Sequence, residues 1–233
     1  PEGWPDYVLA PDPDGWTGNY VVKYWDSRWK DIVIYGQNQS SASPGAMTPR
    51  GFRGDAPDYT SILDEVIKDG FDGVYLDWVE GFENAQVIAA AQAEGKDPAT
   101  EMLTLIQEIR TWARERDPDF LIIQQNAAAL ATGQREAFTL VDGIAQEEVW
   151  YGGVATDSWD DPQGYDTPVS GELTAEYLVN LDAYKQAGVP VFNVEYALNK
   201  APTAYALSLA KGYAATCTRR SLSKLTTTPP PGY

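Results

Sequence analysis

The sequence predicts an α/β fold in which parallel strands alternate with helices around a closed barrel. Three observations carry this. Strand-like and helix-like segments follow one another in repeated order along the chain. Four strands end in polar residues: Asp77, Gln125 with Asn126, Glu147 with Glu148, and Glu195. A doubly wound sheet gathers its ligand site at one switch point, whereas polar groups at nearly every strand end suit a closed barrel. Finally, 233 residues, 43% of them hydrophobic, supply one large domain with a substantial core.

The elements follow in order. Residues 1–18, rich in Pro, Asp and Gly, read as loop. Tyr20–Trp25 reads as a strand, then Asp26 as the N-cap of an amphipathic helix running to about Tyr35. Residues 37–58 read as a long surface loop. Ser61–Asp69 is helical and stops at Gly70. The apolar run Val74–Leu76 is a short buried strand that delivers Asp77 to its end. Residues 82–95 are Ala-rich and helical. Asp97-Pro98 opens a stronger helix, in which Met102, Leu103, Leu105, Ile106, Ile109 and Trp112 keep helical spacing to about Arg116. Strand Phe120–Gln125, a short helix at Glu136–Leu140 and strand Gly143–Glu147 follow. Residues 150–171 read as a second long loop. Helix Leu173–Gln186 stops at Gly188, strand Val189–Tyr196 carries Glu195, and Pro202–Ala215 is helical. Five strands are expected where an eight-stranded barrel takes about 250 residues. The barrel is therefore expected to be incomplete at its N-terminal side, or to draw strands from another polypeptide. Residues 1–225 form the barrel domain, and the Thr/Pro-rich residues 226–233 read as an extended linker.

Alternation along the strands sharpens the site. Gly143, Ala145 and Glu147 share a face, and small residues suit a crowded interior, so Glu147 is expected to point inward. Glu148 then points outward or into the next loop. Val191, Asn193 and Glu195 share another face, opposite Phe192 and Val194, which read as the helix-covered exterior. On this reading Asp77, Glu147 and Glu195 converge at one mouth. A carboxylate there is costly to bury and usually has a task; the alternative for Asp77 is a structural role, capping the next segment or pairing with an Arg.

Composition narrows the chemistry. There is no histidine and one cysteine, which removes Ser-His-Asp triads, Cys-His pairs and His- or Cys-based zinc sites. Acid–base work falls to carboxylates, Tyr, Lys or Cys. Asp and Glu number 34 against 17 Lys and Arg, a net charge of −17 that repels nucleic acid and attracts a polycation. No apolar stretch is long enough for a membrane span. Eight Trp and 14 Tyr offer rings that stack on sugars; Trp78, Trp150 and Trp159 are among those in or beside predicted loops. Two converging carboxylates in an aromatic, histidine-free cleft suggest glycoside hydrolysis, one protonating the leaving oxygen and the other attacking the sugar or activating water.

Several motifs resemble glycoside hydrolase family 114, the endo-α-1,4-polygalactosaminidase-like barrels. They are Trp16-Thr-Gly-Asn-Tyr20, Val22-Lys-Tyr-Trp-Asp-Ser-Arg-Trp29, Gly70-Phe-Asp-Gly-Val-Tyr-Leu-Asp77, Ile122-Ile-Gln-Gln-Asn126, Glu147-Glu-Val-Trp-Tyr151, Val194-Glu-Tyr196 and Arg219-Arg-Ser-Leu222. They occur in the family's order and span most of the chain, and the one ending at Asp77 is the most specific. The family's early strand motif, resembling Ser-Ile-Gly-Glu-Ala-Glu-Asp-Tyr-Arg, has no counterpart. The resemblance implies a TIM-type (β/α)8 barrel that cleaves α-1,4-linked, galactosamine-containing polysaccharide outside the cell or at its surface. Asp77 maps to the nucleophile and Glu147 to the acid/base, with Glu148 the competing choice. Glu195 maps to a supporting carboxylate that binds a substrate amine or orients the pair. Gln125, Asn126, Tyr75, Trp78, Tyr151 and Asp26, in or beside these motifs, complete the expected substrate-binding set. No cofactor or metal is implied. Partly deacetylated galactosaminan is cationic, so it fits the acidic charge balance.

Two other readings stand beside this one. The first is a carbohydrate-binding or cell-surface protein that kept the barrel without catalysis. The second is an acidic barrel whose Asp-rich stretches, residues 11–14 and 157–166, bind Ca²⁺, although neither has the EF-hand pattern.

Overall fold

The computed structural model of the protein describes residues 3–37, 60–156 and 158–230. Strand β1 (Val8–Pro11), in a segment expected to be loop, pairs with β2 (Tyr20–Val22) in a two-stranded sheet. The strand expected to reach Trp25 stops early because the chain turns, the Asp26 N–H donating to the Lys23 carbonyl at 2.9 Å. Asp26 caps α1 (Ser27–Lys30), as expected. The helix expected to continue to Tyr35 widens into a π-helical turn, Asp31–Tyr35. Ile32, Val33 and Ile34 are β-branched in succession, which suits a regular α-helix poorly. Beyond Gln37, the loop expected at 37–58 lies outside the described residues.

Next come α2 (Ile62–Lys68), capped by Ser61, and β3 (Gly73–Leu76). A 3₁₀ turn, Val79–Glu83, leads to α3 (Ala85–Ala93), capped by Asn84, and α4 (Pro98–Arg114), capped by Asp97 with Pro98 in its first turn. Then follow β4 (Leu121–Gln125), α5 (Ala137–Leu140) and β5 (Gly143–Glu147). The loop expected at 150–171 contains an antiparallel ribbon of β6 (Tyr151–Gly152) and β7 (Thr167–Pro168). Two-residue strands carry too little pattern to register in a sequence. Ser170 caps α6 (Gly171–Gln186), which is followed by β8 (Val191–Glu195) and α7 (Ala201–Lys211). The last helix ends at Lys211, not Ala215: Gly212 takes the left-handed conformation (φ 73°), and β9 (Ala214–Cys217) follows.

Strands β3, β4, β5, β8 and β9 form one sheet in that order. The β4–β5, β5–β8 and β8–β9 pairings are parallel. Strand order follows chain order, with helices in between and no reversal. This is the winding of a TIM-type α/β fold and not of a doubly wound sheet. Among the described residues the sheet holds five strands, with β3 and β9 at its margins.

The chain packs as two units. The first comprises Pro1–Leu9, Val22–Val74 and Phe82–Ile122. Its core is the apolar stripe of α4, where Met102, Leu103, Ile106, Ile109 and Ala113 are buried. Trp112 donates its Nε1–H to Asp64 at 3.0 Å and carries the Arg116 guanidinium 3.6 Å above its ring.

The second unit comprises Ala10–Val21, Tyr75–Gly81 and Ile123–Tyr233. Its strands show which face meets the helices, and the result reverses one expectation. Val191, Asn193 and Glu195 are buried while Phe192 is exposed. Asn193 accepts from Ser208 on α7, and Cys217, the register partner of Glu195, clusters with Ala201, Ala204 and Tyr205 of α7. The helix-covered face is therefore that of Asn193 and Glu195. In a parallel pair, register partners share a face, so Glu147 lies with Val194 and Ala145 with Phe192 on the opposite one. There Tyr75, Phe192, Ala214 and Thr216 keep solvent exposure. The expectation failed because Phe192 and Val194, being apolar, were assigned to the covered side, whereas polar Asn193 is buried with its hydrogen bonds met.

Candidate active site

Apart from those of Asp26, the contacts described here lie within the second unit. Asp77, Asn126 and Glu147 stand at the ends of β3, β4 and β5. Trp78 (φ 56°), Asn126 (φ 53°) and Glu148 (φ 55°), at or just after those ends, are all left-handed and none is glycine. Such backbone costs about 1–3 kcal/mol per residue and concentrates at functional sites. Here it turns the chain sharply at each strand end and re-aims the polar side chains.

Glu147 is held by its carboxylate and by its backbone. The Tyr196 hydroxyl donates to its Oε2 at 2.7 Å and the Tyr75 hydroxyl to its Oε1 at 3.3 Å. Its backbone N–H donates to Asn126 Oδ1 at 2.8 Å. Burial, then the Glu147 charge, raises both phenols well above the ordinary tyrosine range, so they remain donors. Asp77 keeps solvent access, yet the protein packed on its inner side and then the charge of Glu147 push its carboxyl up. The Trp78 N–H beside it donates to Gln125 Oε1 at 2.5 Å, fixing the Asp77 turn to the next strand.

Asn126 works as a relay. Its Oδ1 accepts from the Glu147 N–H and from Gln146 Nε2, and its Nδ2 donates to Glu80 Oε1 at 3.0 Å. Glu80 Oε2 is buried without a hydrogen-bond partner. Burial pushes the Glu80 carboxyl up to about 7. Glu80 is a third carboxyl at the site that the sequence reading missed; its signal was its position three residues after Asp77, closing the same run. Tyr196 was also missed, although it follows Glu195 in the Val194–Tyr196 motif.

The remaining expected residues divide. Glu148 pairs with Arg220 at 2.5 Å, and Arg220 also reaches Asp14 at 2.9 Å. Burial still pushes Glu148 up to about 7, against the opposing pull of Arg220. Glu195 is fully buried and accepts the backbone N–H groups of Val149, Trp150 and Tyr151 and the side-chain amide of Asn193. Its oxygens are taken up in anchoring the loop after β5. Tyr151 joins this arrangement through its backbone N–H. The Trp78 ring covers Gly81, the nearest approach to an added Cβ there being 3.0 Å. Asp26 belongs to the first unit, where it caps α1 and pairs with Arg28 at 2.6 Å. Cys217 is buried, its thiol pushed up to about 12 by burial, which leaves a poor nucleophile. Among the described residues no group of three or more acidic or thiol side chains is placed to hold a metal ion, which gives the Ca²⁺ reading no support. No helix among them is long and apolar enough to cross a membrane.

Comparison with known proteins gives this geometry its context. The profile of the glycoside-hydrolase family GH114 matches residues 57–229, and the chain belongs to that family. An uncharacterized protein from Deinococcus radiodurans is 30% identical over 200 residues, which is 84% of this chain and 50% of that protein. An uncharacterized protein from Thermotoga maritima is 34% identical over 158 residues, 64% of this chain and 39% of its own. The structure of the glycoside hydrolase domain of PelA from Pseudomonas aeruginosa superposes with a TM-score of 0.52 at 17% identity, over 70% of this chain and 59% of that one. A likeness at this identity speaks for the TIM-type fold alone. The chain thus spans half the length of the first of these relatives and less of the second.

Proposed function

We propose that this protein is an endo-acting glycoside hydrolase that cleaves α-1,4-linked, galactosamine-containing polysaccharide, outside the cell or at its surface, with Asp77 and Glu147 as its carboxyl pair. The observation that carries the reading is the Glu147 environment: two phenol hydroxyls and a backbone anchor orient one carboxyl at a strand end, while Asp77 stands at another with its carboxyl pushed up by burial and by Glu147. Family membership supports a sugar polymer as substrate, and the net charge of −17 favours a cationic one.

The family resemblance assigns Asp77 as nucleophile and Glu147 as acid/base. The side-chain environments favour the reverse. Both oxygens of Glu147 already accept hydrogen bonds, an arrangement suited to an anion. Burial, then the Glu147 charge, raises the Asp77 carboxyl, the direction a general acid needs.

The test is hydrolysis of partly deacetylated galactosaminan by the parent chain and by Asp77→Asn and Glu147→Gln. Each variant is expected to lose at least about a thousandfold in kcat with its fold intact. On an aryl galactosaminide whose leaving group needs no proton, the variant lacking the acid recovers turnover and the one lacking the nucleophile does not. Wild-type activity in both variants sinks the pair. A parent chain that binds the polymer without cleaving it supports the non-catalytic carbohydrate-binding alternative.

A further inference from the structure

Trp159 is 71% exposed, the most exposed of the chain's described tryptophans. Single apolar residues on a surface are ordinary, but the backbone beneath this one is not loosely held. Its carbonyl accepts from Arg219 Nη1 at 3.1 Å, from Ser221 Oγ at 3.2 Å and from Ser223 Oγ. The two hydroxyls are also 2.9 Å from each other. Arg219 is nearly fully buried and lies over the Tyr165 ring. In the same loop, Gly153 and Gly164 touch backbone to backbone: a Cβ on Gly153 would sit 2.3 Å from the Gly164 carbonyl, and one on Gly164 would sit 3.2 Å from Arg219. Three side chains thus anchor the backbone of a residue whose indole is left in water.

This clamp is tied to the carboxyl pair through adjacent residues. Arg219 holds Trp159, and Arg220 holds Glu148, the residue after Glu147. Both arginines follow β9, at the same sheet end as the carboxyl groups. The ribbon that carries the Trp159 loop also borders a cleft of about 420 Å³, lined by Glu148, Gly153, Thr167 and Ser170 among others. An exposed indole on an anchored backbone, at the same sheet end as the carboxyl pair, has the properties of a stacking platform. The C–H face of a pyranose packs on an aromatic face, and an anchored backbone leaves only the side-chain torsions to be fixed when it does so.

We propose that Trp159 is a sugar-binding platform, a subsite for one ring of a hexosamine polymer lying beyond the sugars at the Asp77–Glu147 pair. This rests on the hydrolase reading for its substrate class, and its test separates the two. Binding of an α-1,4-galactosamine decasaccharide and trisaccharide is measured by calorimetry in the Asp77→Asn background, with Trp159 kept or changed to Ala or Tyr. Trp159→Ala is expected to weaken the decasaccharide about tenfold and to leave the trisaccharide unchanged. Trp159→Tyr keeps a stacking ring and retains most of the affinity. In the Asp77-intact enzyme the Ala change raises KM for the polymer and leaves kcat in place. Thermal melting of Trp159→Ala should match the parent, since the indole is in solvent. Equal decasaccharide affinity with and without the ring overturns the platform, as does a loss that Tyr fails to restore or an absence of binding in the parent. Trp159-dependent binding by a chain that never hydrolyses the polymer overturns the hydrolase and leaves the platform standing. Hydrolysis with a KM indifferent to Trp159 does the opposite.

Discussion

Tyr196 places a hydroxyl 2.7 Å from Glu147 at a position buried enough to exclude competing water. Tyr196→Phe removes that donor and keeps the ring. A hydrogen bond to a charged group contributes about 1.5–3 kcal/mol to stability, so the melting temperature is expected to fall, and kcat by about tenfold or more as the Glu147 carboxyl loses a positioning donor; steady-state kinetics on polymer below the variant's melting range checks this, and unchanged kcat would mean that the hydroxyl is idle. Glu80 makes its prediction through pH. Its carboxyl is raised from 4.5 to about 7 in the folded chain, so the native state binds this proton more tightly than the unfolded state does. Its contribution to stability is therefore full below pH about 4.5 and declines as pH rises to about 7. Glu80→Gln keeps an acceptor for Asn126 and removes the titration. The fall in unfolding free energy between pH 5 and 7.5 should then shrink by on the order of 1–2 kcal/mol, as measured by urea titration. Glu148 and Glu195, raised to about 7 and about 6, titrate in the same direction and leave a residual slope. That Asp77 and Glu147 stand at strand ends was legible in the sequence, because strand ends and carboxylates are both written there. Glu80 was not, since its place at the site depends on Asn126, a residue from the next strand end.

Among the elements, the β6–β7 ribbon is the most exacting. The backbone of Gly153 passes so close to Gly164 that any side chain there meets main chain and not a side chain able to swing aside. Gly153→Ala is expected to cost about 1–3 kcal/mol, read as a lowered denaturation midpoint. It should also loosen the Trp159 loop, so polymer affinity should fall with stability; a variant as stable as the parent would mean that the two segments part easily. Helices with caps and long periodic stripes could be read in advance: α4 begins at Pro98 with Asp97 as its cap, as the sequence states. β9 could not. Ala214–Cys217 follows an Ala-rich helix, and only the left-handed turn at Gly212 separates the two. The inner and outer faces of β8 were likewise assigned backwards, because a buried asparagine with its hydrogen bonds met looks in sequence like a residue facing solvent.

For the molecule as a whole, the net charge of −17 acts at long range and through salt. Affinity for deacetylated galactosaminan is expected to drop steeply between low and physiological ionic strength, while affinity for the fully acetylated polymer holds steady. Equal salt dependence for both would assign recognition to stacking and hydrogen bonds alone. The TIM-type winding was legible from alternation and from polar strand ends; among the described residues its five strands match the count expected, though not the same five, since β2 pairs elsewhere and β9 takes its place. Glu195 adds a statement about time. The N–H groups of Val149, Trp150 and Tyr151 find their acceptor on a strand 44 to 46 positions later in the chain. The turn that follows Glu147 therefore cannot be ordered until β8 has docked beside β5. Long-range closure of this kind comes late in folding and opens as a unit with the strand that completes it. In native-state hydrogen exchange, these three loop amides should exchange as slowly as those of β8 and be released with them, so that the segment after Glu147 ranks among the last parts of the sheet to form.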